Sequence, residues 1–199
     1  EITTRLVGSE MCIRDSCKGT VCVHGLIDTQ ALARELHEKF YKGWYDVKLP
    51  HKFKIGIGGC PNNCVKPDLN DVGIVGQRIP RVIPELCKGC KLCEKSCPLH
   101  VAKVVDGKAV IDPAQCNNCG RCIPKCPFQA IEAQATGYQV YIGGRWGKRT
   151  AMGRPLSTIF TNQEELLTLI EKCLLLFRAY GQPKERFADT ITRLCLLYT

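Results

Sequence analysis

No apolar run in this sequence is long enough to cross a bilayer, so no membrane span is expected. The opening residues carry no signal-peptide pattern either, which makes the cytoplasm the expected compartment. Histidine is scarce. His24, His37, His51 and His100 lie scattered without the spacing of a metal-ligand set, although His51 stands just before a strand that leads to a cysteine loop. Trp44 and Trp146 are the only tryptophans, and packing is the ordinary use of each. Acid is short relative to base, with 19 Asp and Glu against 28 Lys and Arg, a formal net charge of +9.

One residue type is in excess: 15 of the 199 residues are cysteine. Such a count in a short exported chain would read as a disulfide framework, but this chain is long and shows no export pattern. Ligation of metal is the better reading. It also changes the meaning of the positive charge, because an iron–sulfur cubane with four thiolates carries a net charge of about −2. The basic residues are therefore expected to balance cofactors, and no nucleic-acid partner is expected.

Eight cysteines fall in an internal duplication, CKGCKLCEKSCP against CNNCGRCIPKCP. Cys87, Cys90, Cys93 and Cys97-Pro98 repeat as Cys116, Cys119, Cys122 and Cys126-Pro127, which is C-x2-C-x2-C-x3-C-P twice. A thiolate at every third residue wraps three corners of a cubane, and the fourth, followed by proline, reaches across to the other cluster. One [4Fe–4S] cluster is thus expected on Cys87, Cys90, Cys93 and Cys126, and a second on Cys116, Cys119, Cys122 and Cys97. Zinc knuckles or disulfides would want pairs of cysteines rather than triplets plus one. The segment resembles bacterial two-cluster ferredoxins throughout its length.

The flanking sequence has a different texture. A helix is expected over 28–41, capped by Asp28 or Thr29 and ended by Gly43; strands are expected over 53–57 and 71–76, with Pro80 and Pro84 marking a boundary. After the duplication, 138–142 alternates like a strand and runs into the basic turn GGRWGKRT. A helix follows over 162–180, with Thr161 and Glu164 as a capping box, Leu166, Leu167, Ile170, Leu174 and Phe177 as its buried face, and Gly181 as its stop. Pro183 is expected to start a last helix carrying Phe187, Ile191 and Leu194, and Cys173 reads as a small core residue. The two ends read differently again. Residues 5–15 and the closing CLLYT back-translate to opposite strands of one transposon-type sequencing adapter. Residues 1–16 and 195–199 are therefore set apart from the fold, Cys12 and Cys195 are not expected to be ligands, and the native chain is expected to begin upstream. The organisation expected is α+β: a domain in two parts, 17–84 and 133–194, interrupted by a ferredoxin-like insert at 85–132.

Four cysteines remain, Cys17 and Cys22 in CKGTVC and Cys60 and Cys64 in GGCPNNC. With HKFKIGIGGCPNNC, the following DVGIVG and the later GYQVYIGG, they resemble the sirohaem-containing sulfite and nitrite reductases, and the ferredoxin insert is similar to that of the anaerobic and dissimilatory sulfite reductases. The first loop has four residues between its cysteines where better-known members have five. The resemblance implies the C-terminal half of a [4Fe–4S]/sirohaem domain. It also implies a third [4Fe–4S] cluster on Cys17, Cys22, Cys60 and Cys64, with Cys64 shared between the cluster and the sirohaem iron and so catalytic. Asn62 and Asn63 would donate hydrogen bonds to cluster sulfur or the macrocycle's edge. Lys52, Lys54 and Arg145, with Lys148 and Arg149, would contact sirohaem carboxylates.

What this implies for function is a six-electron reduction of a small oxyanion, sulfite or nitrite, fed one electron at a time from an electron-donor protein or subunit through the ferredoxin clusters. In the family the basic residues that grip substrate lie mostly in the half before the first cysteine pair, which this sequence does not contain, so the fragment is expected to be inactive alone. Two other readings stay open: a polyferredoxin-type carrier without sirohaem, and a family member that binds a tetrapyrrole without reducing sulfite.

Overall fold

The computed structural model describes residues 11–195. Its strands are β1 (Met11–Ser16), β2 (Phe53–Gly58), β3 (Val72–Val82), β4 (Ala102–Val105), β5 (Lys108–Ile111), β6 (Ile131–Ile142) and β7 (Arg154–Phe160). Its α-helices are α1 (Thr29–Leu36), α2 (Leu92–Ser96), α3 (Gln163–Tyr180) and α4 (Phe187–Arg193). The fold is α+β, and the chain divides into two compact units, one ending at Gly76 and resuming at Tyr138, the other Gln77–Gly137. The second unit is wider than the 85–132 read from the cysteines. Among the described residues no helix is long and apolar enough to cross a membrane.

The first unit is built on a sheet of order β1-β2-β3-β6-β7, in which β1, β2 and β3 are parallel and β7 is antiparallel to β6. Alternation puts Phe53, Ile55 and Ile57 of β2 on one face, all fully buried, with Val72 and Ile74 of β3 beside them. Leu32, Leu36 and Phe40, then Leu166, Ile170, Leu174 and Phe177 of α3, and Phe187 and Ile191 of α4 complete that core. Phe53, Phe177 and Phe187 meet with ring centroids 5.1–6.0 Å apart. The opposite face of β2 is nearly bare. A Cβ on Gly56 would lie 2.4 Å from the Asn70 side chain and 2.9 Å from Pro67, so glycine there lets the chain after Cys64 fold flat onto the strand. A buried ion pair ties the end of the chain to this layer. Arg186 donates to Asp71 Oδ2 at 2.8 Å, and the Lys54 amide donates to the same oxygen at 2.9 Å.

The structure corrects several expectations. Met11–Ser16, set apart as adapter-derived, is a sheet strand, in register with Phe53 through Ile57. The physical reason is that β2 is buried and needs hydrogen-bond partners along both edges. Residues 1–10 and 196–199 lie outside the described residues. Asp28 caps α1, its carboxylate accepting from the Gln30 and Ala31 amides, but the last turns, His37–Lys42, are π-helical before Gly43 ends them. Pro80 does not mark a boundary. It sits inside β3 beyond Val75, where pairing with β2 has ended and a missing N–H costs little. Asn162, not Thr161, caps α3, accepting from the Glu164 amide at 2.9 Å. Pro183 lies in the turn before α4, whose cap is Arg186.

The second unit has little apolar core. Its buried cluster is Cys87, Cys93, Cys122, Ala109, Ala130 and Ile131, and its regular structure is the short helix α2 and the β4–β5 hairpin, turned at Asp106-Gly107 with both residues at positive φ. Its backbone is itself duplicated. Left-handed residues occur at Gly89, Lys91 and His100 and again at Asn118, Gly120 and Gln129, each pair separated by the same interval as Cys87 and Cys116.

Candidate metal centre

Cys17 follows β1 directly and Cys60 follows β2 by one residue, so two neighbouring parallel strands deliver them to the same end of the sheet. The Cys17 amide donates to the Ile57 carbonyl at 3.0 Å and the Gly59 amide donates to Cys17 Sγ at 3.0 Å. The two loops then touch through backbone. A Cβ on Gly59 would stand 2.8 Å from the Gly19 Cα, and one on Gly19 would stand 2.9 Å from the Gly59 Cα, so only glycine permits the approach. Thr29, fully buried at the start of α1, donates its hydroxyl to the Cys17 carbonyl at 2.7 Å, and the Leu26 amide donates to the Gly59 carbonyl at 2.8 Å. Of the four thiols, Cys60 is the one that feels the other three. Burial pushes the Cys60 thiol up, the Asn62 amide opposes this, and Cys64, Cys22 and Cys17 each push it further up. Cys64 is the exposed member.

The other expected residues of this site divide. The Asn62 amide points at Cys60, whereas the Asn63 side-chain amide donates to Asp68 Oδ1 at 2.9 Å and is already used. Asn63 has φ of 56° and a buried Oδ1 with no partner in the chain. Lys54 acts electrostatically on Asp71, at the far end of the layer from the cysteine loops, and Lys52 is half-buried beside His51, whose Nδ1 accepts from its amide. Arg145 is paired with Asp189 at 2.8 Å. The basic turn is nonetheless fastened to the segment after Cys64. The Gly153 amide donates to the Asp68 carbonyl at 2.7 Å, the Gly143 amide to the Asp71 carbonyl at 2.9 Å, and Lys66 sits 6.0 Å from the centre of the Trp146 ring. Thr29, Lys66 and Asp68 were not singled out from sequence. Thr29 was visible only as an alternative helix cap, and nothing local marked Asp68, which is buried as the hub of two backbone segments.

In the second unit, a small cavity is lined by Cys87, Cys90, Cys93 and Cys126, the four thiols expected to share a cluster. Amides aim at them: Ala109 to Cys87 at 3.2 Å and Ala130 to Cys126 at 3.3 Å. The Gly89 amide holds the Cys87 thiol below its ordinary range against the effect of burial, aided by Ala109 and Lys108. The thiols of the other expected group act on one another and on the first. Burial pushes Cys116 up, the Asn118 amide opposes it, and Cys119 and Cys97 push it further up. Cys122 is pushed up to about 12 by burial, then by Cys116, Cys119 and, from the first group, Cys93. Against burial, the amides of Ala102, Val101, Leu99 and His100 hold Cys97 down.

Among the described residues no three His, Cys, Asp or Glu side chains converge tightly enough for a lone metal ion. Cys87, Cys90, Cys93 and Cys126 instead line one small cavity, and backbone amides aim at the sulfurs of Cys17, Cys87, Cys116 and Cys126. That donor chemistry fits a polynuclear iron–sulfide core, which spreads its ligands and gains from N–H···S bonds, better than a tetrahedral zinc. At Cys60, Cys93, Cys116 and Cys122, where burial favours the neutral thiol, a cationic core among the sulfurs would favour the thiolate instead.

Known proteins give the same reading. Residues 10–196 match the nitrite and sulphite reductase 4Fe-4S domain. The chain is 34% identical over 177 residues to the coenzyme F420-dependent sulfite reductase of Methanocaldococcus jannaschii, covering 88% of this chain and 28% of that protein. It is 34% identical over 140 residues to a subunit of the anaerobic sulfite reductase of Salmonella typhimurium, covering 68% of this chain and 40% of that one. Its fold is similar to that of dissimilatory sulfite reductase I, with a TM-score of 0.68 at 22% identity over 94% of this chain and 50% of the other. The chain thus spans well under half the length of these two sequence relatives.

Proposed function

Because the chain belongs to the nitrite and sulphite reductase 4Fe-4S domain family, we propose that it is the iron–sulfur part of a sirohaem reductase for sulfite or nitrite. What supports this is that neighbouring parallel strands bring Cys17 and Cys60 to one end of the sheet, with the Gly59 amide on Cys17 Sγ at 3.0 Å and Cys64, Cys22 and Cys17 all acting on the Cys60 thiol. In this reading they hold one [4Fe–4S] cluster, and the ferredoxin-like segment at 85–132 holds two more, on the two sets of four described above. When bound, the coupled cluster–sirohaem centre supplies the six-electron chemistry that reduces the oxyanion.

The chain's own residues do the rest. Exposed Cys64 would be the thiol that reaches a haem iron, while half-buried Cys17, Cys22 and Cys60 would hold the cluster. The Gly59 and Asn62 amides hold the sulfurs of Cys17 and Cys60. Lys66, beside Trp146, and the Arg149 and Arg154 guanidiniums around the cavity of the 143–154 turn offer positive charge to a carboxylate-rich ligand. Thiols kept for iron suit the reducing cytoplasm.

The test is anaerobic reconstitution with iron, sulfide and sirohaem. About twelve iron atoms per chain, a haem absorption band, and an EPR signal from coupling between haem and cluster are expected. Replacing Cys64 by Ser should abolish the coupled signal while sparing the eight-cysteine segment. About twelve irons with no haem band under any condition would leave a polyferredoxin-type carrier and remove the reductase.

A further inference from the structure

Of the eight thiols in the second unit, Cys90 is the exposed one. Cys87 and Cys93, its neighbours in the same group, are buried, and Cys126 is half-buried. The cavity these four line is also lined by Lys88, Lys91 and Phe128. Both lysines are exposed, and none of the ion pairs among the described residues uses either. Phe128 leaves 43% of its surface in water, and Leu92, next to Lys91, leaves 43%. An exposed thiol beside a partly exposed aromatic ring and two lysines that enter no ion pair among the described residues has the anatomy of a transient protein contact. Lys103, exposed on β4, is absent from that cavity and serves as an internal control.

Resting on the reading that Cys87, Cys90, Cys93 and Cys126 hold a cluster, we propose that the face around Cys90 docks an acidic one-electron carrier protein. Lys88 and Lys91 pair with its carboxylates, and Phe128 packs against the apolar surround of its redox group. One electron passes from the reduced carrier to the cluster at Cys90. The carrier is oxidised by one electron and the cluster reduced by one, with no bond made or broken and no proton moved. Opposite charge on the two faces steers the encounter, so association should be fast at low salt and slow at high salt.

The probe is a plant-type [2Fe–2S] ferredoxin, an acidic iron–sulfur carrier, mixed with the reconstituted chain. Two readouts are taken: the Kd of the oxidised proteins, and the stopped-flow rate of cluster reduction. The paired substitution Lys88→Glu/Lys91→Glu should weaken binding about tenfold or more, slow reduction by a similar factor and flatten the salt dependence. Lys88→Gln/Lys91→Gln should do the same to a smaller degree, and Lys103→Glu should do little. Iron content, and reduction by a small chemical reductant, should not change. Equal rates in the paired variant, an equal loss with Lys103→Glu, or no salt-dependent binding by the parent chain would each overturn the proposal. If the chain never takes up sirohaem yet ferredoxin binding depends on Lys88 and Lys91, the docking face stands and the reductase reading falls.

Discussion

The two units of this chain are held together by different physics. The first buries a continuous layer of Phe, Ile and Leu between a sheet and helices, with Phe177 among a dozen side chains that see almost no solvent. The second buries three thiols, two alanines and an isoleucine. Apolar burial at about 25 cal/mol per Å² can fold the first. It has far less to act on in the second, whose buried cluster is half thiols. The contrast teaches that one polypeptide can give one region an apolar core and leave another to depend on what its thiols bind, as the proposed clusters would require.

The sharpest way to break this comparison is to withhold iron. In hydrogen exchange, peptides across 87–126 should exchange as unfolded chain without iron and sulfide, whereas α3 stays protected. Equal protection of both regions would dissolve the distinction. Next, Phe177→Ala should cost about 3–5 kcal/mol in denaturant unfolding of the first unit, with the iron content of the second unchanged. A smaller effect is expected from the cap of the same helix: Asn162→Ala should cost about 1 kcal/mol, again in the first unit alone. The smallest concerns acid. Hydrogen bonding from Arg193, aided by the Gln182 amide and the Thr190 hydroxyl, holds the Glu185 carboxyl down to about 2 from its ordinary 4.5. Its folded value lies below its unfolded one, so its stabilisation is present above about pH 5 and fades as pH falls toward 2. The difference in unfolding midpoint between the parent chain and Glu185→Gln should shrink over that window, and a difference that stays constant would remove this role.

Much of the architecture was legible because it followed from periodicity and spacing. The face Leu166, Leu167, Ile170, Leu174 and Phe177 is the buried face of α3, and Cys87, Cys90, Cys93 and Cys126, grouped by their spacing, line one cavity. Less legible was whatever depends on distant backbone. Thr161 and Asn162 can both cap, and the helix takes Asn162, whose extended backbone lets its side chain accept from the Glu164 amide. Asn63 donates to Asp68 instead of toward a cofactor, a choice fixed by its left-handed backbone and a buried carboxylate that sequence does not place beside it. Met11–Ser16 was misjudged for fold because its coding pattern was weighed and the need of β2 for a second neighbour was not. The π-helical turns of His37–Lys42 leave no compositional trace at all.

β3 and β6 are hydrogen-bonded neighbours, and each begins in one unit and ends in the other. The excursion that carries eight cysteines therefore departs and returns only one strand spacing apart, about 4.8 Å. To the rest of the sheet it is a long hairpin tip. A cassette attached this way can be gained, lost or moved to another hairpin in a single genetic event without disturbing the register on either side.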